Sequence, residues 1–240
     1  MEIFSGSARL TSAARQCDAF ADRVSQPWDV LNGPEFDLLI KSNLCRLLSL
    51  LASGHVLFQW LGTPCSSFCR ARRWDGGPVP LRAEENPAVP APWLVSDVDI
   101  GKVLEGNALA EVTAKCILVG HQARVYYALE NGHRTFLWVY PAIAAALSAT
   151  ATTHTIVDYC AWPLHSLDGP RSPWQKRTRI SGTLPGLEQL GDPSRRCRGQ
   201  RICSFTRKAH VALRGKSPSG EWLTTLAQPY PVADIRGRLH

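Results

Sequence analysis

The sequence predicts an α/β protein built on one doubly wound, mostly parallel sheet, with a small C-terminal appendage. Two observations predict this class. Short apolar runs of strand type alternate with runs of helical spacing, and 240 residues are enough to bury one sizeable core. A third sets the end of the chain apart, because residues 181–240 hold 10 Lys and Arg against 4 Asp and Glu. We therefore expect a main domain over residues 1–184 and a small basic region over residues 185–240.

The first part of the chain supplies two strands and two helices. EIF, residues 2–4, predicts a short strand, and the turn SGS leads into a helix over residues 8–16. Leucines at helical spacing predict the next helix over residues 38–53, which ends at Gly54. HVLFQWLG, residues 55–62, predicts a fully buried strand.

The second part continues the alternation after a long loop. The proline-rich residues 76–94 have no periodicity and predict a surface loop. The uncharged stretch after Arg134 is interrupted by Pro141 and is rich in Ala and Thr, which favours a buried helix over a membrane span. The remaining segments predict helices over 107–121 and 135–150 and strands over 123–132, 154–160 and 175–184.

Cysteine usage indicates a reducing compartment. Eight cysteines are scattered through apolar segments, and no secretory leader precedes them. We expect an intracellular protein, nuclear if the source is eukaryotic, with no membrane association.

Residues that carry chemistry follow the predicted strands, at the edge where open α/β sheets bind ligands. FSGS ends the first strand, Asp29 follows the second, TPCSSF ends the fourth and ENG ends the fifth. Taken alone each signal is weak, because a glycine turn is commonly structural and a lone cysteine is commonly a small buried apolar residue. In this order they indicate one site.

Together these motifs resemble those of the DNA cytosine-5 methyltransferases, over residues 2 to about 180. EIFSGS is similar to their acidic-x-Phe-x-Gly-x-Gly motif, with Ser7 or Ala8 where a further glycine is usual. TPCSSF is similar to the Pro-Cys motif, with Cys69 where serine usually follows, and LENG is similar to the Glu-Asn motif. QKRTR, residues 175–179, fits the Gln-x-Arg-x-Arg motif. The resemblance implies a class I, Rossmann-like fold that binds S-adenosylmethionine and methylates carbon 5 of cytosine in DNA.

The chemistry of that reaction suits these residue types. Carbon 5 of cytosine is too electron-poor to attack a methyl sulfonium, so a nucleophile must first add to carbon 6, and a thiolate does this well. Cys65 would supply it. The charge then moves toward ring nitrogen 3 and the carbonyl oxygen, where Glu130 and Arg179 would stabilise it, with Arg177 as second support. Gln175 would brace the strand.

The resemblance also implies where the cofactor binds. The glycine turn would surround its methionine portion, and Asp29 is our choice for the acid that takes the ribose hydroxyls, with Trp28 covering the adenine. Asp37 either belongs to the cofactor site or only caps the next helix, and both interpretations stand. The predicted cofactor contacts are Phe4, Gly6, Ser7, Trp28, Asp29, Asp37 and Pro64.

The basic C-terminal region favours a polyanionic partner. Six basic residues fall within 195–208 with no acid among them, which suits DNA, although a solvated basic loop has the same composition. RNA is not excluded as the polymer, and neither is a degenerate methyltransferase fold that binds DNA or a protein partner without turnover. The predicted nucleic-acid contacts are Arg70, Arg72, Gln175, Arg195, Arg196, Arg198 and Arg201.

The last sixty residues also contain zinc-type ligands. Cys197, Cys203 and His210, with Cys160 upstream, are of the right types, but their spacings are not the tight pairs of common zinc modules. We therefore predict no metal from the sequence, and keep these four as the candidate ligands.

Overall fold

A computed structural model shows an α/β protein with one five-stranded mixed sheet. The strands lie in the order β1-β2-β3-β5-β4 and are β1 (Glu2–Ile3), β2 (Phe58–Leu61), β3 (Tyr126–Gly132), β4 (Thr153–Asp158) and β5 (Arg177–Gly182). The α-helices are α1 (Arg9–Arg15), α2 (Lys41–Ala52), α3 (Asp97–Gln122), α4 (Pro141–Ala149) and α5 (Leu223–Leu226). The structure describes residues 1–70, 72, 78–161, 173–199, 201–213, 215–217 and 219–227.

The predicted α/β class is confirmed, and the sheet is parallel only in its first part. β1, β2 and β3 pair in parallel, whereas β5 lies antiparallel between β3 and β4. Each parallel crossover passes through a helix, because parallel strands cannot be joined by a tight turn. The insertion of β5 is a consequence of long-range pairing, which the local apolar pattern does not encode.

Both faces of the sheet are covered. Along β3, Tyr127 and Leu129 pack into the core beneath α2, α3 and α4, while Ala128 points to the other face. There it contacts a second core with Ile180 and Leu187, which Leu10 of α1 also covers. This alternation is the period of two that a β-strand imposes.

Backbone geometry explains where several predicted elements differ from the observed ones. The predicted 2–4 strand stops at Ile3 because Phe4 has a φ of 56°. The predicted 135–150 helix divides at Pro141, which forces the residue before it into an extended conformation. The prediction that a helix starts at 107 is wrong, because α3 begins ten residues earlier, at Asp97, with Asp97 and Asp99 in its first turn. Acidic residues there interact favourably with the helix dipole.

The order of the strands reverses at β1. Trp28 pairs in parallel with Ile3 on one side of β1, and β2 pairs on the other side. The predicted second strand, before Asp29, is thus reduced to this single bridge. A crevice opens at such a reversal, outside the carboxyl ends of the strands, and is the usual ligand site of open α/β sheets.

Among the described residues, no helix has both the length and the apolar character needed to span a membrane.

Candidate functional site

The loop after β1 has an unusual backbone conformation. Phe4, Gly6 and Ala8 have φ values of 56°, 50° and 48°. Only glycine adopts this left-handed region without strain, and each other residue there costs on the order of 1–2 kcal/mol. The Phe4 N–H donates to Trp28 O at 2.7 Å and the Ala8 N–H donates to Ser5 O at 2.8 Å, and these bonds hold the loop at the switch point.

Asp29 lies against this loop, as the sequence predicts. Its Oδ2 accepts the Gly6 N–H at 2.8 Å, and its Oδ1 accepts the Leu31 N–H at 2.9 Å. A carboxylate offers about four acceptor positions, so capacity remains for a diol. The Asp29 side chain thus joins the glycine turn to the chain segment on the other side of β1.

Glu2 lies beneath the same loop and is almost fully buried. Its Oε2 accepts from the Thr11 N–H at 2.8 Å and from the Thr11 hydroxyl at 2.6 Å. Burial raises the pKa of this carboxyl, against the two hydrogen bonds, which lower it. Glu2 therefore anchors α1 to β1 under the crevice.

The remaining predicted cofactor residues are placed differently. Trp28 is only 5% exposed, with the edge of Phe36 at 5.5 Å and the Arg46 guanidinium 4.9 Å from its ring, so an adenine could stack on it only if these neighbours moved. Asp37 accepts the Leu39 N–H at 2.9 Å, which is the capping contact. Pro64 is exposed at the end of β2.

The nucleophile loop after β2 is held from two sides. The Asn131 side chain, 2% exposed, donates to Thr63 O at 2.8 Å. The Phe68 N–H donates to Cys65 O at 3.0 Å and closes a turn, and the Phe68 ring is fully buried beneath the Arg82 guanidinium. The Pro-Cys and Glu-Asn motifs are therefore neighbours in space, and a buried hydrogen bond fixes their relation.

Cys65 and Glu130 share one electrostatic environment. Burial, followed by the negative charges of Cys69 and Glu130, raises the pKa of the half-buried Cys65 thiol to about 11, while Lys176 lowers it. The Tyr159 hydroxyl donates to Glu130 Oε1 at 3.4 Å, and Lys176 Nζ lies 4.3 Å from the Tyr159 ring centre. Sequence reasoning missed Lys176 and Tyr159. Lys176 stood inside QKRTR at a position where the motif accepts any residue, and Tyr159 carried no motif signal.

The two arginines predicted for catalysis lie on the opposite face from Glu130. Glu130 pairs with Ile180, and Arg179 pairs with Asn131. Residues directly opposite in an antiparallel pair share a face, and adjacent residues alternate. The Arg179 guanidinium stacks 4.5 Å from the Trp138 ring, and its Nε donates to Ser181 Oγ at 2.9 Å. The structure thus brings Cys65 and Glu130 together without placing Arg179 beside them.

Arg177 is engaged in a structural ion pair. Its Nε donates to Asp158 Oδ1 at 2.6 Å and its Nη2 donates to Oδ2 at 3.2 Å. Asp158 is 4% exposed and raises the pKa of Arg177 through these hydrogen bonds. The pair joins the ends of β4 and β5. Gln175 lies just before β5 and is exposed, and its backbone N–H donates to Val211 O at 3.1 Å.

The predicted nucleic-acid contacts fall into two groups. Arg70 is paired with Glu84 and stacks 4.0 Å from the Phe136 ring, while Arg72 donates to Val79 O at 3.2 Å. In the C-terminal region the arginines project into solvent or are half-buried. Arg195, Arg198 and Arg201 are exposed, and Arg196 is half-buried.

A cleft of about 600 Å³ lies between the sheet edge and the C-terminal region. Most of its wall is cationic or polar. It is lined by His133, Arg134, Asp158, Cys160, Gln175, Lys176, Arg177, Cys197, Arg198, Gly199 and His210. A cleft with this lining attracts anions, because low-dielectric walls focus the field of like charges.

The candidate metal ligands are brought together. The ligand atoms of Cys160, Cys197, Cys203 and His210 all lie within 4.8 Å of one another. Burial tends to raise the pKa of Cys197, but hydrogen bonds from Ser204 outweigh it, and the pKa falls to about 6. The four residues come from distant parts of the chain, so the sequence spacing gave no indication of this cluster.

No protein-family model, curated protein or solved structure matches the chain.

Proposed function

We propose that the chain is an S-adenosylmethionine-dependent DNA cytosine-5 methyltransferase with a doubly wound, class I Rossmann-like core. The observation that carries the proposal is the buried hydrogen bond from Asn131 to Thr63 O. It sets the loop that bears Cys65 beside the strand end that bears Glu130, and the two side chains interact electrostatically. A nucleophile and an acid at one sheet edge are what addition to a cytosine ring requires.

The crevice at the end of β1 fits the cofactor. The left-handed loop from Phe4 to Ala8 exposes backbone to it, and the half-buried carboxylate of Asp29 faces the same loop with acceptor capacity for a ribose diol. When bound, the cofactor supplies an electrophilic methyl group on a sulfonium. Asp29 binds and orients it, and Glu2 fixes α1 beneath the loop.

The chain's residues then perform the steps on cytosine. The Cys65 thiolate adds to carbon 6 while Glu130 holds a proton at ring nitrogen 3, which makes carbon 5 nucleophilic. After carbon 5 is methylated, its hydrogen leaves as a proton to water. The carbon–sulfur bond breaks, the electron pair restores the ring double bond, and Cys65 returns as thiolate.

Substrate binding must activate the nucleophile. With a pKa of about 11, only about one Cys65 in a thousand is thiolate at pH 8. A base bound at Glu130 engages the carboxylate that opposes ionisation, and Lys176 already favours it. The nucleophile is therefore protected while the site is empty.

A second candidate is a degenerate methyltransferase fold that binds nucleic acid without turnover. Two observations favour it: the raised pKa of Cys65, and the stacking of Arg179 on Trp138 on the face away from Glu130. In this case the basic cleft binds its partner and the site after β2 does no chemistry.

Covalent trapping on 5-fluorocytosine DNA separates the two candidates, because fluorine at carbon 5 cannot leave as a proton and the adduct persists. We expect a wild-type adduct in the presence of S-adenosylmethionine, none with Cys65→Ala, and an adduct with the matched control Cys69→Ser. A parallel RNA substrate identifies the polymer. DNA binding without any adduct on either polymer would favour the binding module.

A further inference from the structure

The C-terminal region is fastened to the sheet by a cluster of buried cysteines. In the described part of the chain, the third core cluster consists only of Cys160, Cys197 and Cys203, with Cys203 fully buried. Three cysteines give little apolar area, and a region this small usually needs a cross-link or a metal to stay ordered. Some bond other than hydrophobic contact must hold this junction.

The spacing of the ligand atoms fits tetrahedral zinc. With Zn–S near 2.3 Å and Zn–N near 2.0 Å, tetrahedral geometry places sulfur and nitrogen about 3.5 Å apart and two sulfurs about 3.8 Å apart. Cys197 Sγ and His210 Nε2 are 3.5 Å apart, and all four ligand atoms lie within 4.8 Å of one another. The cluster needs only a small contraction to close around an ion.

The surroundings of the cluster suit a thiolate ligand. The Ser204 N–H and hydroxyl both point to Cys197 Sγ, each at 3.4 Å, and the Cys197 N–H donates to Asp158 Oδ2 at 3.0 Å. Such outer hydrogen bonds orient metal ligands and stabilise the charge on sulfur. The ligand loop is itself a hairpin, in which the Cys203 N–H donates to Lys208 O at 2.8 Å.

We propose that Cys160, Cys197, Cys203 and His210 form a structural zinc site that joins the C-terminal region to the end of β4. Four protein ligands leave no open position, which distinguishes a structural site from a catalytic one. A disulfide would satisfy only two of the three thiols and would leave a thiol and an imidazole side by side. This proposal does not depend on methyltransferase activity.

The zinc also positions the basic surface. The ligand loop, residues 197–210, carries Arg198 and Arg201, and three of the ligands line the cationic cleft. Fixing the loop at both of its ends holds these arginines beside the end of β5. Loss of zinc therefore releases the loop and disperses the positive charge.

The metal content of the full chain, purified in thiol reductant without chelator, tests the site. We expect about one zinc per wild-type chain by elemental analysis, less than about a tenth of that with Cys203→Ser, and no loss with the control Cys45→Ser, since Cys45 is exposed and far from the cluster. Because Cys203→Ser may misfold, cobalt substitution of the wild type is the second measurement. It should give the intense visible bands of tetrahedral cobalt with thiolate ligands.

Wild-type protein with no zinc above the Cys203→Ser level would overturn the proposal, as would octahedral cobalt spectra. A Cys160–Cys197 disulfide, detected by resistance to alkylation before reduction, would overturn it too. Methylation activity that fails while zinc is present would contradict only the proposed function, so the two failures are distinguishable.

Discussion

The reactivity of Cys65 should respond in opposite directions to two neighbouring charges. Glu130 raises the pKa of this thiol and Lys176 lowers it, so Glu130→Gln should increase the thiolate fraction and Lys176→Gln should decrease it. Burial and Cys69 contribute more than Glu130 to the rise from 9.0 to about 11, so we expect Glu130→Gln to increase alkylation at pH 8 by about two- to ten-fold.

Iodoacetamide labelling followed by peptide mass spectrometry measures this rate at Cys65 alone. In the wild type the rate should rise about ten-fold for each pH unit from 7 to 10, because the thiolate fraction does so below the pKa. Cys116, whose burial raises its pKa to about 12, serves as an unreactive internal reference. Equal rates in both variants, or changes of the same sign, would refute the electrostatic account. Glu130→Gln should also abolish methyl transfer even though its thiol is more reactive.

Three further predictions test the site. Asn131→Ala leaves Thr63 O unpaired in the interior, so it should destabilise the protein by about 1–3 kcal/mol in urea unfolding and lower the single-turnover rate. Asp29→Asn should weaken S-adenosylmethionine binding about ten-fold by calorimetry, whereas the other capping acid, changed as Asp37→Asn, should not, and equal affinities would exclude Asp29 as the ribose ligand. Alanine at three exposed arginines should flatten the log–log salt dependence of DNA affinity by about 2.7, at about 0.9 for each phosphate contact: Arg195, Arg198 and Arg201.

A matched triple variant controls for the loss of net charge. It removes three exposed cations outside the basic region, Arg23, Lys41 and Lys115. This variant should leave the salt dependence unchanged if binding is local. An equal flattening in both triple variants would mean that the C-terminal region is not the DNA surface.

Local sequence determined much of the architecture. Apolar runs marked β2 and β3, and helical spacing marked α2, because each element carries its own periodicity. Pro141 placed the start of α4, since proline fits the first turn of a helix and excludes helix before it. The strand-end motifs were also placed correctly at one edge, because parallel strands end on the same side.

Only the tertiary structure decided which side chains meet. The register of β5 against β3 sets Arg179 on the face away from Glu130, and a shift of one residue would reverse that result. The pKa of Cys65 depends on burial and on Lys176, more than one hundred residues away in the chain. Cys160 and Cys197 likewise meet only after β4 and the C-terminal hairpin have packed. Periodicity and motif order are local properties that a sequence states directly, whereas face, register and electrostatic field arise from contacts between distant segments.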